Sequence, residues 1–345
     1  MKKYLVAIVI LILLLLVFRT LNSSGFFKTI ENHSELKNES IIRGIPGPED
    51  FDIDIEFGYL FISSTDRWGV IKGNKSDDGI YLLDLNKQDS PKQITTTYVG
   101  EFHPHGISYF KTDKGDFLYV VNHNKKGNYI ELFRFDNDTL FHVKTFENDL
   151  MFSPNDIVAI DTNKFYVTND HGNKKGFMRT MEEYLMLPQS YILYYNGESY
   201  SIVYDGLNYA NGINVSNSGD IVYVSETIGR RISVLDRDRK TGELKLRFSK
   251  NIDTGLDNIS IDSEGDLWIA SHPKMLDFVG HAKSKENISP SQVLKLRHRG
   301  EDDFEIMEVY LNDGAQLSGS SVALHYKNKI FIGVVFEDKV LVGGY

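Results

Sequence analysis

The chain has 345 residues, 41% hydrophobic and 12% aromatic, enough for a large folded core and too apolar for a disordered chain. A formal charge of −10 excludes the basic stripe that a nucleic-acid partner requires. The absence of cysteine excludes disulfides, thiolate metal sites and cysteine nucleophiles, leaving oxygen ligands that suit calcium.

Lys2 and Lys3 precede an unbroken apolar run, Tyr4–Phe18. Its 15 residues fit the core of an export signal and are short for a spanning helix. Arg19 and Thr20 make a poor cleavage site and Ser23-x-Gly25 a weak one. Residues 1–24 are therefore expected to be a signal peptide or an uncleaved signal anchor. The rest of the chain is then exported, secreted or held at a membrane outside the cytoplasm. Residues 25–40 are polar and aperiodic and read as a linker or arm.

From residue 41 to 345 the chain repeats one unit: a polar residue, a short alternating strand, a tight turn and a second apolar strand. The units begin at Glu49-Asp50, His105, Asn155-Asp156, Asn211, Asp257-Asn258 and Ser320-Ser321, with steps of 56, 50, 56, 46 and 63 residues. Lys114-Gly115-Asp116, Ser218-Gly219-Asp220 and Ser263-Glu264-Gly265-Asp266 mark turns inside units. Periods of this size with about four strands each describe propeller blades, so the expectation is an all-β, six-bladed β-propeller. One stretch departs from the strand pattern. Lys174–Leu187 places Phe177, Met178, Met181, Tyr184, Leu185 and Leu187 at helical spacing, predicting a short accessory helix over one face. It covers a core edge, or shapes a pocket, or touches a membrane or lipid surface beside the N-terminal segment.

In a propeller the innermost strands begin near the central channel, so these starts converge. Glu49, Asn155, Asn211, Asp257 and Asn258 offer five side-chain oxygen groups and two negative charges, matching one divalent ion with positions open for water or substrate. Asp50 and Asp156 bring two more charges. Neighbours on extended chain point to opposite sides, so with the Ile107 carbonyl they suit a second, enclosed ion. The plain alternative is that Asp50 and Asp156 cap local backbone. His105 and His123 begin and end the two strands of one unit, which places them side by side, where imidazole can orient or deprotonate water. Asp257 is a second candidate for that proton.

The runs HPHGIS (103–108), FLYVVNH (117–123), NDIVAI (155–160), TNDH (168–171), ANGINVS (210–216), LDNISID (256–262), SHP (271–273) and GSSVA (319–323) closely resemble the paraoxonase/arylesterase family, from about Ile42 onward. The resemblance implies a six-bladed propeller with two calcium ions that hydrolyses lactones, aryl esters and, more weakly, some organophosphates. Position by position it makes Glu49, Asn155, Asn211, Asp257 and Asn258 ligands of the catalytic calcium. Asp50, Asp156 and the Ile107 carbonyl fall on the structural calcium, and His105 and His123 on a histidine dyad. Tyr209 falls on a pocket-wall aromatic, and His171 and His272 on further pocket histidines. Two features depart from the family. Its animal members tie their ends together with a disulfide; here strand pairing must close the ring. The loop after Ser64 (TDRWGVIKGNKSDD) differs, with Trp68 as a pocket candidate. The rival to a calcium-dependent carboxylic ester hydrolase is a non-catalytic, calcium-stabilised propeller that binds a protein or lipid partner.

Overall fold

An antiparallel strand whose side chains alternate in and out must bury its apolar face against a second sheet, and a ring of small sheets meets that demand for every blade at once. The computed structural model, which describes residues 2–74, 76–87 and 90–345, is a six-bladed β-propeller. Met1 and Lys75, inside the expected N-terminal segment and pocket loop, lie outside the described residues. The innermost strands of blades 1–6 are Pro48–Asp54, Pro104–Thr112, Pro154–Asp161, Ala210–Val215, Gly255–Ile261 and Ser320–Tyr326. Apolar residues fill the seams between neighbouring blades. Tyr119, Val121, Ile157, Phe165 and Val167 form one such seam, and Tyr223, Val234, Ile259, Leu267 and Ile269 another.

The ring closes without a disulfide. Lys37–Ile42 is the outermost strand of blade 6, pairing Ser40 with Val342 and Ile41 with Leu341. His33–Ser34 adds a fifth strand to blade 5. The segment expected as a linker or arm is thus part of two blades, and the sheet begins at Lys37 rather than at residue 41. Side chains 37–40 are exposed, so no apolar alternation marks the strand; its partner, Val340–Gly344, supplies the register.

Among the described residues four helices decorate the ring: α1 (Lys2–Ser23), α2 (Arg67–Ile71), α3 (Phe177–Leu185) and α4 (Met275–Lys283). The helix around the predicted 15-residue apolar run extends to 22 residues, long and apolar enough to cross a membrane, a test that an export signal also passes. α2 and α4 were not expected from the strand pattern. α4 does carry the signal of a helix: Asp277 in its first turn, His281 and Lys283 in its last, complementing the macrodipole.

Each innermost strand is irregular where it starts. Pro104 pairs with Asn122 and the next partners are Ile107 and Val120, so three residues advance against two. The same extra residue occurs between Pro154 and Ile157, Ala210 and Ile213, and Leu256 and Ile259. Shorter breaks occur at Pro48/Asp50 and Ser320/Val322. A bulge leaves one residue out of the ladder and re-aims side chains. The six bulges hold the polar starts of the repeats. Two of them need glycine: a Cβ on Gly106 would stand 2.5 Å from the Asp156 Cα, and one on Gly212 2.7 Å from the Asn258 Cα.

Candidate active site

At the end of the channel where the bulges lie, a pocket of about 420 Å³ opens between blades and helices. Its floor carries Glu49, His105, Asn155, Asn211, Asp257 and His272, and its wall carries Tyr209, Ile228, Leu276, Phe278, Val279, Val335 and Phe336. Polar floor and apolar wall suit a small molecule with one reactive polar centre. A more open recess of about 710 Å³ lies at the other ends of the blade 4 and 5 strands, around Ser218 and Gly265, and holds none of these residues.

The floor is assembled across blades. Asn258 Nδ2 donates to the backbone oxygen of Glu49 at 3.1 Å and to its Oε1 at 3.0 Å. Asn211 Nδ2 donates to Thr227 Oγ1 at 3.1 Å. Both amides are therefore held by their nitrogens, which fixes where their oxygens point. Hydroxyls from second strands stitch neighbouring bulges together. Thr168 Oγ1 donates to the Asn211 carbonyl at 2.7 Å, Ser225 Oγ to that of Asp257 at 2.6 Å, and Thr65 Oγ1 to that of Pro104 at 2.8 Å.

Four oxygens remain without hydrogen-bond partners: Glu49 Oε2, Asn155 Oδ1, Asn211 Oδ1 and Asn258 Oδ1. A buried acceptor without a donor costs about 1–3 kcal/mol, so four from four blades in one place require an explanation. A hard cation with oxygen ligands supplies one, and these residues fit calcium. Among the described residues no three His, Asp or Glu side chains cluster as a metal site by themselves; the amides make up the set. Burial pushes the Glu49 carboxyl up, but His105, Arg67 and Asn258 outweigh it and hold the group at about 2. For Asp257 burial prevails over the His272 contact and the carboxyl is raised, with Glu49 repelling it. Asp257 Oδ2 and His272 Nε2 are 2.8 Å apart, and the imidazole stacks on Phe278 at 3.9 Å.

Deeper on the axis, Asp50 Oδ2 accepts from the Ile107 N–H at 2.8 Å and Oδ1 from the Phe51 N–H at 2.9 Å. Asp156 receives the Ile213 and Ile157 N–H groups, both at 2.7 Å. Each carboxylate thus spans two blades. Burial and repulsion from Asp156 and Glu49 push Asp50 well above the carboxylate range; burial, with Glu49 and Asp52, does the same for Asp156. Adjacent buried carboxylates of this kind suit a cation, while their bonds to backbone N–H groups are those of the capping alternative. Ile107 contributes its N–H to Asp50.

The dyad meets: His105 Nδ1 and His123 Nε2 are 2.9 Å apart. Its tautomers follow from the surrounding bonds. Asn128 Nδ2 donates to the Phe152 carbonyl, so Asn128 Oδ1 faces His123 Nδ1, at 2.7 Å, and accepts its proton. His123 Nε2 is then the acceptor for His105 Nδ1–H. Burial, then the neighbouring His105, lowers His123 to about 4, so it stays neutral at pH 7. His105 Nε2 is left facing the floor, 3.3 Å from Glu49 Oε1.

Tyr209 lines the wall from a left-handed turn, φ 61°, with its ring against His171. Trp68 and His171, expected in the pocket, stand one layer behind its lining. Trp68 stacks on Phe336, and its Nε1 donates to the His281 carbonyl at 3.2 Å. His171 lies between Asp170 and Glu183, at 2.5 and 2.9 Å. Sequence reading missed Arg67, Asp170 and Thr227 in the lining, and also Thr20 and Ser24, through which the end of α1 reaches it.

α3 sits with its polar face inward. Glu182 is buried and accepts from the Gly172 and Asn173 N–H groups, Glu183 meets His171, and Phe177, Met178 and Tyr184 are exposed. Of the three roles considered for this segment, covering a core edge fits only the half-buried Met181, Leu185 and Leu187; Tyr184 reaches the pocket lining, and Phe177 and Met178 point to solvent. Burial lowers His171, but the Asp170 and Glu183 acceptors outweigh it and raise the imidazole to about 9. A raised histidine stabilises the fold fully below its unfolded value near 6.5 and loses that contribution as pH rises through about 9. His171→Gln is expected to flatten the fall in thermal midpoint between pH 7 and 9.5; an unchanged slope in a melting series would refute this role.

A family model described as Arylesterase matches residues 31–342. The chain is 37% identical over 316 residues to serum paraoxonase/arylesterase 1 of Homo sapiens, covering 88% of each protein. It is 33% identical over 315 residues to serum paraoxonase/arylesterase 2 of Rattus norvegicus, again covering 88% of each. Among solved structures, a luciferin-regenerating enzyme superposes with a TM-score of 0.57 at 11% identity, covering 89% of this chain and 98% of that one. A gluconolactonase-like protein gives 0.54 at 13%, covering 92% and 98%. At those identities the structural matches speak for the fold alone.

Proposed function

This chain belongs to the arylesterase family, carboxylic ester hydrolases acting on small-molecule esters and lactones, and from that premise we propose that its hydrolysis depends on calcium held at the pocket floor. Family membership decides against the non-catalytic alternative. The observation that carries the proposal is the set of four buried oxygens without hydrogen-bond partners on Glu49, Asn155, Asn211 and Asn258. With Asp257 they would hold the catalytic ion; Asp50, Asp156 and the Ile107 carbonyl would hold a second, structural one. Bound calcium would polarise the substrate carbonyl and offset the negative charge growing on its oxygen.

The chain's own groups do the rest. The apolar wall seats the ester or lactone against the floor and excludes bulk water. His105 Nε2, its lone pair fixed by the His123–Asn128 relay, accepts a proton from the attacking water and returns it to the departing alkoxide or aryloxide. Asp257, steadied by His272, is the second group within the pocket able to take that proton. No covalent nucleophile is required: the chain has no cysteine and no Gly-x-Ser-x-Gly elbow. Weak organophosphate hydrolysis belongs to the same reading, since a phosphoryl oxygen presents similar charge. The exposed apolar residues of α3 beside α1 support a lipid surface as a partner, with α1 serving as export signal or anchor.

His105→Gln tests the proton's destination. Loss of a positioned base costs on the order of 10²-fold or more in kcat. The expected result with phenyl acetate is such a loss, with little change in KM or thermal midpoint. An unchanged kcat would remove His105 from the mechanism and leave Asp257 as the acceptor.

A further inference from the structure

Arg67 has no part in the chemistry above, yet among the described residues it is the only Lys or Arg in the pocket lining. It is held from behind. Asp66 caps α2 by accepting the Gly69 N–H at 2.9 Å, and Trp68 is pinned between Phe336 and the His281 carbonyl. The guanidinium donates to the Val335 carbonyl at 3.2 Å and stands 3.6 Å from Glu49 Oε2. Those are its polar contacts among the described residues. A guanidinium has five N–H donors in a planar fork suited to a carboxylate.

The charges around it do not cancel it. On the calcium reading, on which this inference rests, Glu49 and Asp257 balance the divalent ion. The other acids of the lining, Asp170 and Glu183, pair with His171 and Arg179. Arg67 is then a surplus fixed cation among apolar side chains, where an anion gains most from it. We propose that Arg67 makes the pocket selective for carboxylates, either the substituent of a carboxylate-bearing ester or lactone or the carboxylate that hydrolysis releases. Arg67 acts here as a specificity residue rather than in bond making.

The test uses the full-length, calcium-loaded protein and its R67Q and R67K variants, each checked by thermal melting. Benzoate is titrated calorimetrically. The ratio of kcat/KM for 4-acetoxybenzoate to that for phenyl acetate is measured alongside, with acetate inhibition. A hydrogen-bonded charge pair predicts about a tenfold or larger loss of benzoate affinity in R67Q, with R67K in between. If the kcat/KM ratio falls with it, the substrate's own substituent is the anion; if acetate inhibition weakens instead, the product is. Unchanged benzoate binding, ratio and inhibition in folded R67Q would overturn the proposal. Activity that survives chelation would overturn the calcium reading instead, so the two failures are separable.

Discussion

Asp257→Ala is expected to lower kcat/KM for phenyl acetate by about 10³-fold or more, the scale on which preorganised charge stabilisation is lost. The side chain is buried at the floor, where its charge and that of Glu49 together match a divalent ion. Removing it halves that negative charge and leaves His272 Nε2 without its partner, while His272 Nδ1 already has none. Asp257→Asn separates the effects. It keeps the shape and one oxygen but not the charge, so it should lose nearly as much activity while melting near the wild-type temperature. Activity within tenfold of wild type in either folded variant would show that Asp257 neither holds the ion nor takes the proton.

The second large effect is on stability. Exhaustive chelation should abolish hydrolysis and lower the thermal midpoint by several degrees. A ligand at 100 times its dissociation constant contributes about 2.7 kcal/mol, and each kcal/mol shifts a domain of this size by roughly 2 °C. The pH dependence identifies the cause. Asp50 and Asp156 have folded values raised well above the ordinary carboxylate range. The folded state therefore binds protons more readily than the unfolded one. The sign follows: without calcium, the contribution of these two groups is greatest at acid pH and falls as pH rises through the carboxylate range and above it. In chelator, lowering the pH from 8 towards 5 should raise the midpoint. Calcium should flatten that dependence, and Asp156→Asn should remove part of it while blunting the response to calcium. A chelated protein that melts at the wild-type temperature at every pH would contradict a structural ion.

The blades were legible because their polar starts, strands and tight turns recur at near-constant steps, and because strand alternation survives in each unit. The converging floor was legible for the same reason: equivalent positions of a radial repeat meet on one axis. What the sequence concealed depended on distant partners. Lys37–Ile42 carries no apolar alternation and becomes a strand only beside Val340–Gly344. α2 is five residues long, too short for a periodic signal. α3 has a helical apolar stripe, but stripe geometry does not say which face turns inward. The buried acceptors and donors around His171, Gly172 and Asn173 decide that. Trp68 was read as lining because it lies in the pocket loop; its indole instead packs behind Phe336, and Arg67 before it faces the cavity. The bulges are not written in residue type either. Only Gly106 and Gly212, placed where a Cβ has no room, mark them.

Calcium titrated calorimetrically into chelator-stripped, folded protein reaches the central claim without any assay of turnover. The account predicts two ions per chain, with Asp257→Ala losing one binding event and keeping the other. A folded protein that takes up no calcium at millimolar concentration would contradict it.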